Sequence, residues 1–235
     1  MENSQTITSV ARTDLAKQRG WYYNAVMPKR NVIKQYGSDE YYHLYNRGVN
    51  KQEIFREPND YYYFLSLLKR HLSDNSETDS SGRPVKKYSK EIELVAFCLL
   101  PNHFHMLVYL IEPTGIVDLM RSVMTAYTMY FNRKYKRTGT LYEGRFLASR
   151  ITNEAYLWHV SRYIHLNALD NSVDFKTYDY SSIAYFLGKK HASWMHENRL
   201  VEAEKDRREY SEFVSDYETM HSDLKLLQNL LASED

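Results

Sequence analysis

The sequence is poor in the features that mark secreted and membrane proteins. Its 235 residues include one cysteine, Cys98, which excludes an internal disulfide framework and a CxxC metal site. No apolar run approaches the roughly 18 to 20 residues of a membrane helix. The polar N-terminal segment also lacks the apolar centre of a secretory signal. We therefore expect a cytoplasmic protein without a membrane partner.

The sequence also lacks the GxxxxGK[ST] loop with which many enzymes bind the phosphates of ATP. Hydrophobic residues make up 43% of the chain, which is enough for a packed core and argues against wholesale disorder. At this length the chain could form one ordinary domain with extensions or two small ones.

The net charge of +1 conceals an uneven distribution. From Met195 to Asp235 there are eleven acidic and five basic residues, whereas the first 194 residues carry 26 basic and 19 acidic ones. A denser basic cluster, interrupted by Glu143 alone, consists of Arg121, Arg133, Lys134, Lys136, Arg137, Arg145 and Arg150. Such a stripe suits a nucleic-acid backbone, although a solvated helix face is the more common explanation of an isolated basic cluster.

Tyrosine is abundant, with 22 residues. Tyrosines among basic residues can stack on exposed bases. They also pack well in sheets and at interfaces. With so many candidates, no tyrosine can be assigned as a nucleophile merely because it is present.

The apolar pattern predicts strand, helix, strand, strand, helix, strand and helix. Strands are predicted at 41–49, 92–100, 103–110 and up to 151, and helices at about 60–72, 115–135 and 154–167. Asn59 or Asp60 can cap the first helix, and Asn153 can cap the third.

The first six elements match a ferredoxin-like α+β sandwich, which is an antiparallel sheet with helices packed on one face. We expect the central domain to span residues 39–190. An N-terminal arm (1–38) would precede it, and an acidic helical C-terminal extension (191–235) would follow.

Two histidines in the strand predicted at 103–110 are candidate metal ligands. Alternation along a strand places His103 and His105 on one face, about 7 Å apart, where one ion could bind both if a third ligand approached. An HxH pattern is weak by itself, because most such histidines are exposed or hydrogen-bonded. Its position on a central strand, directly after a tight Pro-Asn turn, strengthens the hypothesis.

The third predicted helix carries a second candidate set. Tyr163 and Asn167 are four residues apart and therefore share one helix face. Asn167 could offer a carbonyl oxygen to a hard cation, and Tyr163 would stand beside that metal. The alternative is that Tyr163 is a core residue and Asn167 caps the helix end.

Three separated segments together indicate a family far more specifically than any one of them does alone. They are CLLPNHFHMLV, RTGTLYEGRF and HVSRYIHLNAL. In this order they resemble the REP-associated tyrosine transposases and the single-tyrosine HUH transposases of insertion sequences, over roughly residues 40–190. The resemblance implies a ferredoxin-like fold and a Mg²⁺ or Mn²⁺ ion bound by His103 and His105. It also implies Tyr163 as the nucleophile and Asn167 as the third ligand, a position at which relatives often have glutamine.

The resemblance further implies the reaction. Single-stranded or hairpin DNA would be cut and rejoined through a 5′-phosphotyrosine, and the absent ATP-binding loop agrees with such a bond-conserving exchange. The basic cluster would contact the DNA. The resemblance leaves open whether the chain acts as a monomer or a homodimer, and whether it mobilises DNA or has a host role.

Other enzyme classes fit less well. Histidine-triad hydrolases need a third histidine where this chain has Leu107, and phosphoesterases with two HxT/S motifs need hydroxyl residues that are missing here. A non-catalytic nucleic-acid-binding module on the same fold remains open. His43, His159 and His165 are expected to be packed or hydrogen-bonded residues.

Overall fold

The computed structural model describes residues 36–79, 81–171 and 174–216, and its elements follow the predicted order. The strands are β1 (Glu40–Arg47), β2 (Ile92–Leu100), β3 (His103–Leu110) and β4 (Leu147–Ile151). The helices are α1 (Pro58–Leu72), α2 (Gly115–Lys134), α3 (Glu154–Leu166), α4 (Ile183–Phe186) and α5 (204–216). Most of the predicted arm, and the leucine-rich end of the extension at 224–231, lie outside the described residues.

The four strands form one antiparallel sheet in the order β2-β3-β1-β4. This order and the placement of the helices confirm the predicted ferredoxin-like α+β class. β3 is internal, as predicted for the strand with the histidine pair. Among the described residues, no helix is both long and apolar enough to cross a membrane.

β2 lies at an edge of the sheet, yet its outer side is covered. The backbone of Leu99 donates to Tyr180 O, that of Ser182 donates to Phe97 O, and that of His196 donates to Leu94 O, each at 2.9 Å. These bonds explain why a strand at the edge is as apolar as a central one, because both of its faces and its outer side are buried.

The sheet separates two apolar cores. Phe104, Met106 and Val108 of β3 point toward α1 and α2, and they belong to the first core. Leu107 points to the opposite face, where α3 and the segments after it form the second core. The two helices of the ferredoxin-like unit, α1 and α2, thus pack on one face of the sheet, as predicted. α3 packs on the other face, where alternation along β3 also places His103 and His105.

The start of α1 differs from the prediction. The helix begins at Pro58, and its N-cap is Glu57 rather than Asn59 or Asp60. Glu57 and Asp60 form a reciprocal capping box, in which each side chain accepts from the other residue's backbone N–H. Asp60 is therefore the third residue of the helix, and its carboxylate lies inside the protein.

The buried Asp60 carboxylate is the centre of a polar network. It accepts hydrogen bonds from Lys134 Nζ at 2.5 Å, Tyr135 Oη at 2.7 Å, Tyr130 Oη at 3.1 Å and the backbone of Arg56 at 2.9 Å. Burial raises the pKa of Asp60, but these hydrogen bonds outweigh it and the pKa is lowered. The network joins α1 to the end of α2.

Candidate active site

β3 holds His103 with a defined tautomer. The His103 Nδ1 lies 2.6 Å from the carbonyl oxygen of the Asn102 side chain. Because a carbonyl oxygen only accepts, Nδ1 carries the ring proton and the lone pair lies on Nε2. Metal-binding histidines are commonly oriented in this way by a partner on the other ring nitrogen. His103 therefore has the tautomer that a metal ligand needs.

His105 is held by His43 of β1. The His105 Nδ1 is 2.9 Å from His43 Nε2, and both side chains are buried. Burial lowers the pKa of His43 to about 3. Burial and the neighbouring histidines also lower the pKa of His105 well below its ordinary value. Both rings therefore remain neutral, which is the form in which imidazole binds a metal.

α3 places Tyr163 against these histidines. The Tyr163 ring centroid is 5.4 Å from that of His105 and 6.1 Å from that of His43, in edge-on contacts. The ring centroids of His103 and His105 are 5.1 Å apart. The structure therefore brings together three residues that the sequence predicted, which are His103, His105 and Tyr163.

Asn167 is the C-cap of α3. Its backbone N–H and its side-chain Nδ2 both donate to Tyr163 O, the latter at 2.6 Å. The amide group is thus fixed by its nitrogen, so Oδ1 is the atom that can ligate a cation. Within the described part of the chain, no three His, Cys, Asp or Glu side chains cluster to hold a metal.

One predicted DNA-binding residue lies near the His103 end of the sheet. Arg145 is exposed in the loop before β4. Glu143 of this loop pairs with Arg47 at 3.0 Å. Because Arg47 lies opposite His103 in the sheet, the loop with Arg145 lies at the same end of the sheet as His103.

Three other residues of the basic cluster pair with carboxylates of the chain itself. Arg121 pairs with Asp118, Lys134 with Asp60 and Glu57, and Arg150 with Glu40. Arg133 and Lys136 are exposed at the end of α2, and Arg137 donates to Asn132 and Thr140. The cluster is therefore divided among cations inside ion pairs, cations near the end of α2 and Arg145 in the loop before β4.

A buried network of hydrogen bonds attaches α3 to the segments that follow it in the chain. His165 Nδ1 lies 2.7 Å from Tyr210 Oη of α5, and His165 Nε2 lies 2.8 Å from Ser182 Oγ. Tyr210 Oη also donates to Ser161 Oγ at 3.1 Å. His165 is thus hydrogen-bonded, as predicted. The network connects the helix that carries Tyr163 to α5 and to the segment that covers β2.

His159 is also a packed residue, as predicted. Its Nδ1 accepts from Arg162 Nη2 at 2.8 Å, and its ring contacts Phe213 of α5. The Arg162 guanidinium lies over the same Phe213 ring at 4.1 Å from the centroid. These contacts give α5 a second attachment to α3.

Acidification is expected to destabilise the fold through His165. Burial lowers the pKa of His165 to about 3, whereas the unfolded value is about 6.5. The unfolded chain therefore binds a proton that the folded one does not, so stability is lost as pH falls below about 6.5, by about 1.4 kcal/mol per pH unit. The free energy of unfolding is measured in urea for the wild type and for His165→Gln. The value for the wild type minus the value for the variant should be about 2 kcal/mol smaller at pH 5.0 than at pH 7.5. Equal differences at both pH values would contradict this role.

Sequence reasoning missed two neighbours of the histidine pair. Tyr45 stacks on His43 and His105, with ring centroids 5.1 and 5.9 Å apart. Asn102 fixes the His103 tautomer. Asn102 precedes the motif directly and could have been suspected as its partner. Tyr45 shares its face with His43 by alternation, but its contact with His105 follows from the β1–β3 register.

Comparison with known proteins finds a family model that matches the part of the chain with these residues. Residues 83–167 match the family model described as Transposase IS200 like, a segment that includes the histidine pair, Tyr163 and Asn167. A solved structure of a REP-associated tyrosine transposase bound to a REP hairpin matches with a TM-score of 0.51 and 14% identity, covering 71% of this chain and 90% of that one. No curated protein matches significantly. The resemblance is therefore confirmed: over residues 83–167 the chain is similar to the IS200-like transposases, and its fold is similar to that of a REP-associated tyrosine transposase.

Proposed function

We propose that this chain is a metal-dependent enzyme that cleaves and rejoins single-stranded DNA, in particular hairpin DNA, through a covalent bond to Tyr163. The contact of Tyr163 with His105, beside His103, carries the proposal. The match to a transposase family supports the reaction class. The REP hairpin bound by the structural neighbour supports hairpin DNA as the substrate.

The donor set fits a divalent cation. Asn102 leaves the His103 lone pair on Nε2, and His105 presents its ring from the same sheet face. These two imidazoles, with Asn167 Oδ1 as the third ligand, would hold Mg²⁺ or Mn²⁺. Such an ion, when bound, polarises the non-bridging oxygens of the scissile phosphate.

Tyr163 supplies the nucleophile. Its phenolic oxygen gives up its proton to solvent and attacks the phosphorus, the bond from phosphorus to the 3′-oxygen breaks, and that oxygen takes up a proton from solvent to become a 3′-hydroxyl. The other fragment stays bound to Tyr163 through its 5′-phosphate. A 3′-hydroxyl that attacks this phosphotyrosine reverses the step, so rejoining needs no ATP. The contact of Tyr163 with His105 supports a reaction in which the nucleophile and the histidine pair belong to the same chain.

The exposed cations are suited to hold the DNA backbone. Arg145 is exposed in the loop at the His103 end of the sheet, and Arg133 and Lys136 are exposed at the end of α2. Contacts with the DNA backbone set the affinity and the register of binding, but they do not distinguish one base sequence from another. We expect a larger share of the binding energy from these three than from Lys134 or Arg150, because carboxylates of the chain already pair with the latter two.

Metal removal is expected to abolish DNA cleavage. The purified chain is incubated with labelled hairpins from the flanks of its own gene and with Mg²⁺ or Mn²⁺, and SDS-resistant adducts are measured on a gel. Adducts should disappear with EDTA, return with added Mn²⁺ and be absent from His103→Ala, because the cation stabilises charge on the phosphate.

Two outcomes would contradict the proposal. An adduct that persists in EDTA and in His103→Ala would remove the metal from the mechanism. Tight hairpin binding without any adduct, across several hairpins and both metals, would make the chain a binding module instead.

A further inference from the structure

We propose that His43 is a positioning residue, which keeps His105 in the tautomer and orientation that a metal ligand needs, with Ser149 supporting it from β4. This inference rests on the proposed function, because it concerns how the same site is built. His43 is distinct from the ligands themselves. It lies on β1, has 1% of its surface exposed and touches the site through His105.

The bond between the two rings links their tautomers. A neutral imidazole has one N–H, so His105 can offer the Nε2 lone pair to a metal only if its proton is on Nδ1. The neighbour of that Nδ1 is His43 Nε2 at 2.9 Å, which must then accept. The proton of His43 must in turn be on its own Nδ1. The ligand state of His105 thus requires one particular state of His43.

Ser149 lies where it can stabilise the His43 tautomer that has its proton on Nδ1. The β1–β4 register places His43 and Ser149 directly opposite, so their side chains share one sheet face. His43 Nδ1 and Ser149 Oγ are both buried, and neither has a hydrogen-bond partner among the described residues. Such atoms are costly to bury unpaired. A rotation of the Ser149 side chain would turn its hydroxyl toward the Nδ1–H of His43 and satisfy both.

Neither direct catalysis nor metal ligation explains His43. It is enclosed by aromatic rings, with Tyr45 stacked at 5.1 Å, His105 stacked at 5.0 Å and Tyr163 edge-on at 6.1 Å. DNA therefore does not reach it. Its Nε2 already meets His105 Nδ1, which leaves no room for an ion between the two atoms. The arrangement resembles the outer partners that orient metal-binding histidines in other proteins.

Mn²⁺ affinity tests this assignment without DNA or turnover. The full chain is titrated with Mn²⁺ and the free ion is followed by electron paramagnetic resonance. His43→Phe, which keeps an aromatic ring but lacks the acceptor, should bind Mn²⁺ about 10- to 100-fold more weakly. His43→Gln should recover part of the loss because its Oε1 can accept from Nδ1–H. Ser149→Ala should show a smaller loss, and His191→Phe, at an exposed position, should bind like the wild type.

A second measurement reads the tautomers directly. Long-range ¹H–¹⁵N spectra of the histidine-labelled wild type with Mg²⁺ should show protons on Nδ1 of both His43 and His105. This readout does not depend on whether His43→Phe folds. A proton on His43 Nε2 in the Mg²⁺-loaded protein would overturn the assignment, and so would wild-type Mn²⁺ affinity in folded His43→Phe.

The outcomes also separate this inference from the proposed function. Loss of Mn²⁺ binding in His103→Ala together with unchanged binding in His43→Phe would refute the role of His43 alone. If the wild type binds no Mn²⁺, or if His103→Ala binds it equally well, both the metal site and the role of His43 fail.

Discussion

Tyr163→Phe is expected to abolish the covalent DNA adduct, lowering its rate of formation by about 10,000-fold or more, as loss of a nucleophile does in other enzymes. The substitution removes the phenolic oxygen and keeps the ring that packs edge-on against His105 and His43. The fold and the basic residues that hold the DNA should therefore remain. Adducts are measured on SDS gels, and hairpin binding by fluorescence anisotropy should stay close to wild type.

Tyr156→Phe is the matched control for this prediction. Tyr156 lies on the same helix and is half-buried, but it packs in the second core rather than against the histidine rings. Its substitution should leave adduct formation nearly unchanged. An adduct that survives Tyr163→Phe would overturn the assignment of the nucleophile. Tyr45 would then be the next candidate because its ring stacks on His105.

Asp60→Ala is expected to destabilise the protein by about 3 to 5 kcal/mol, which is typical of breaking a buried charged network by removing one partner. The buried carboxylate accepts from Lys134, Tyr130 and Tyr135. Without it, two hydroxyls lose their acceptor, the partly buried Lys134 ammonium loses one of its two carboxylate partners, and the capping box at the start of α1 is lost too. The free energy of unfolding is measured by urea denaturation at neutral pH.

Asp179→Ala provides the comparison. Asp179 pairs with Lys190 at 3.2 Å on the surface, and 68% of its side chain is exposed. Exposed pairs contribute little, so the change should stay below about 1 kcal/mol. If Asp60→Ala and Asp179→Ala had similar effects, the Asp60 network would not stabilise the junction of α1 and α2.

Local patterns predicted the elements well. Two near-continuous apolar runs, separated by a Pro-Asn turn, located β2 and β3 with the observed bounds, and Asn153 caps α3, accepting from the backbone of Tyr156. The start of α1 was wrong because Asp60 is a good capping residue by type. Its carboxylate is instead drawn into the core by partners such as Lys134, which follows it by more than seventy residues. No local pattern contains that information.

The sequence predicted the candidate site to about the same extent as it predicted the fold. Period-two alternation gave the common face of His103 and His105, and the family resemblance singled out Tyr163 among 22 tyrosines. The partnership of His43 with His105 depends on the β1–β3 pairing. The pairing of Arg150 with Glu40 likewise depends on the β1–β4 pairing. Contacts between strands far apart in sequence decide these details, so the order of residues alone does not reveal them.

The cover over the outer side of β2 has a consequence for the solution behaviour of shortened chains. The hydrogen bond to Leu94 comes from His196, beyond the predicted domain end at residue 190, and the neighbouring Trp194 and Met195 are buried in the first core. Ending the chain at Lys190 would keep the bonds made by Tyr180 and Ser182 but leave the apolar Leu94 end of β2 with unpaired backbone groups. A bare edge of this kind is a template for strand addition by another copy, so such a chain would tend to self-associate.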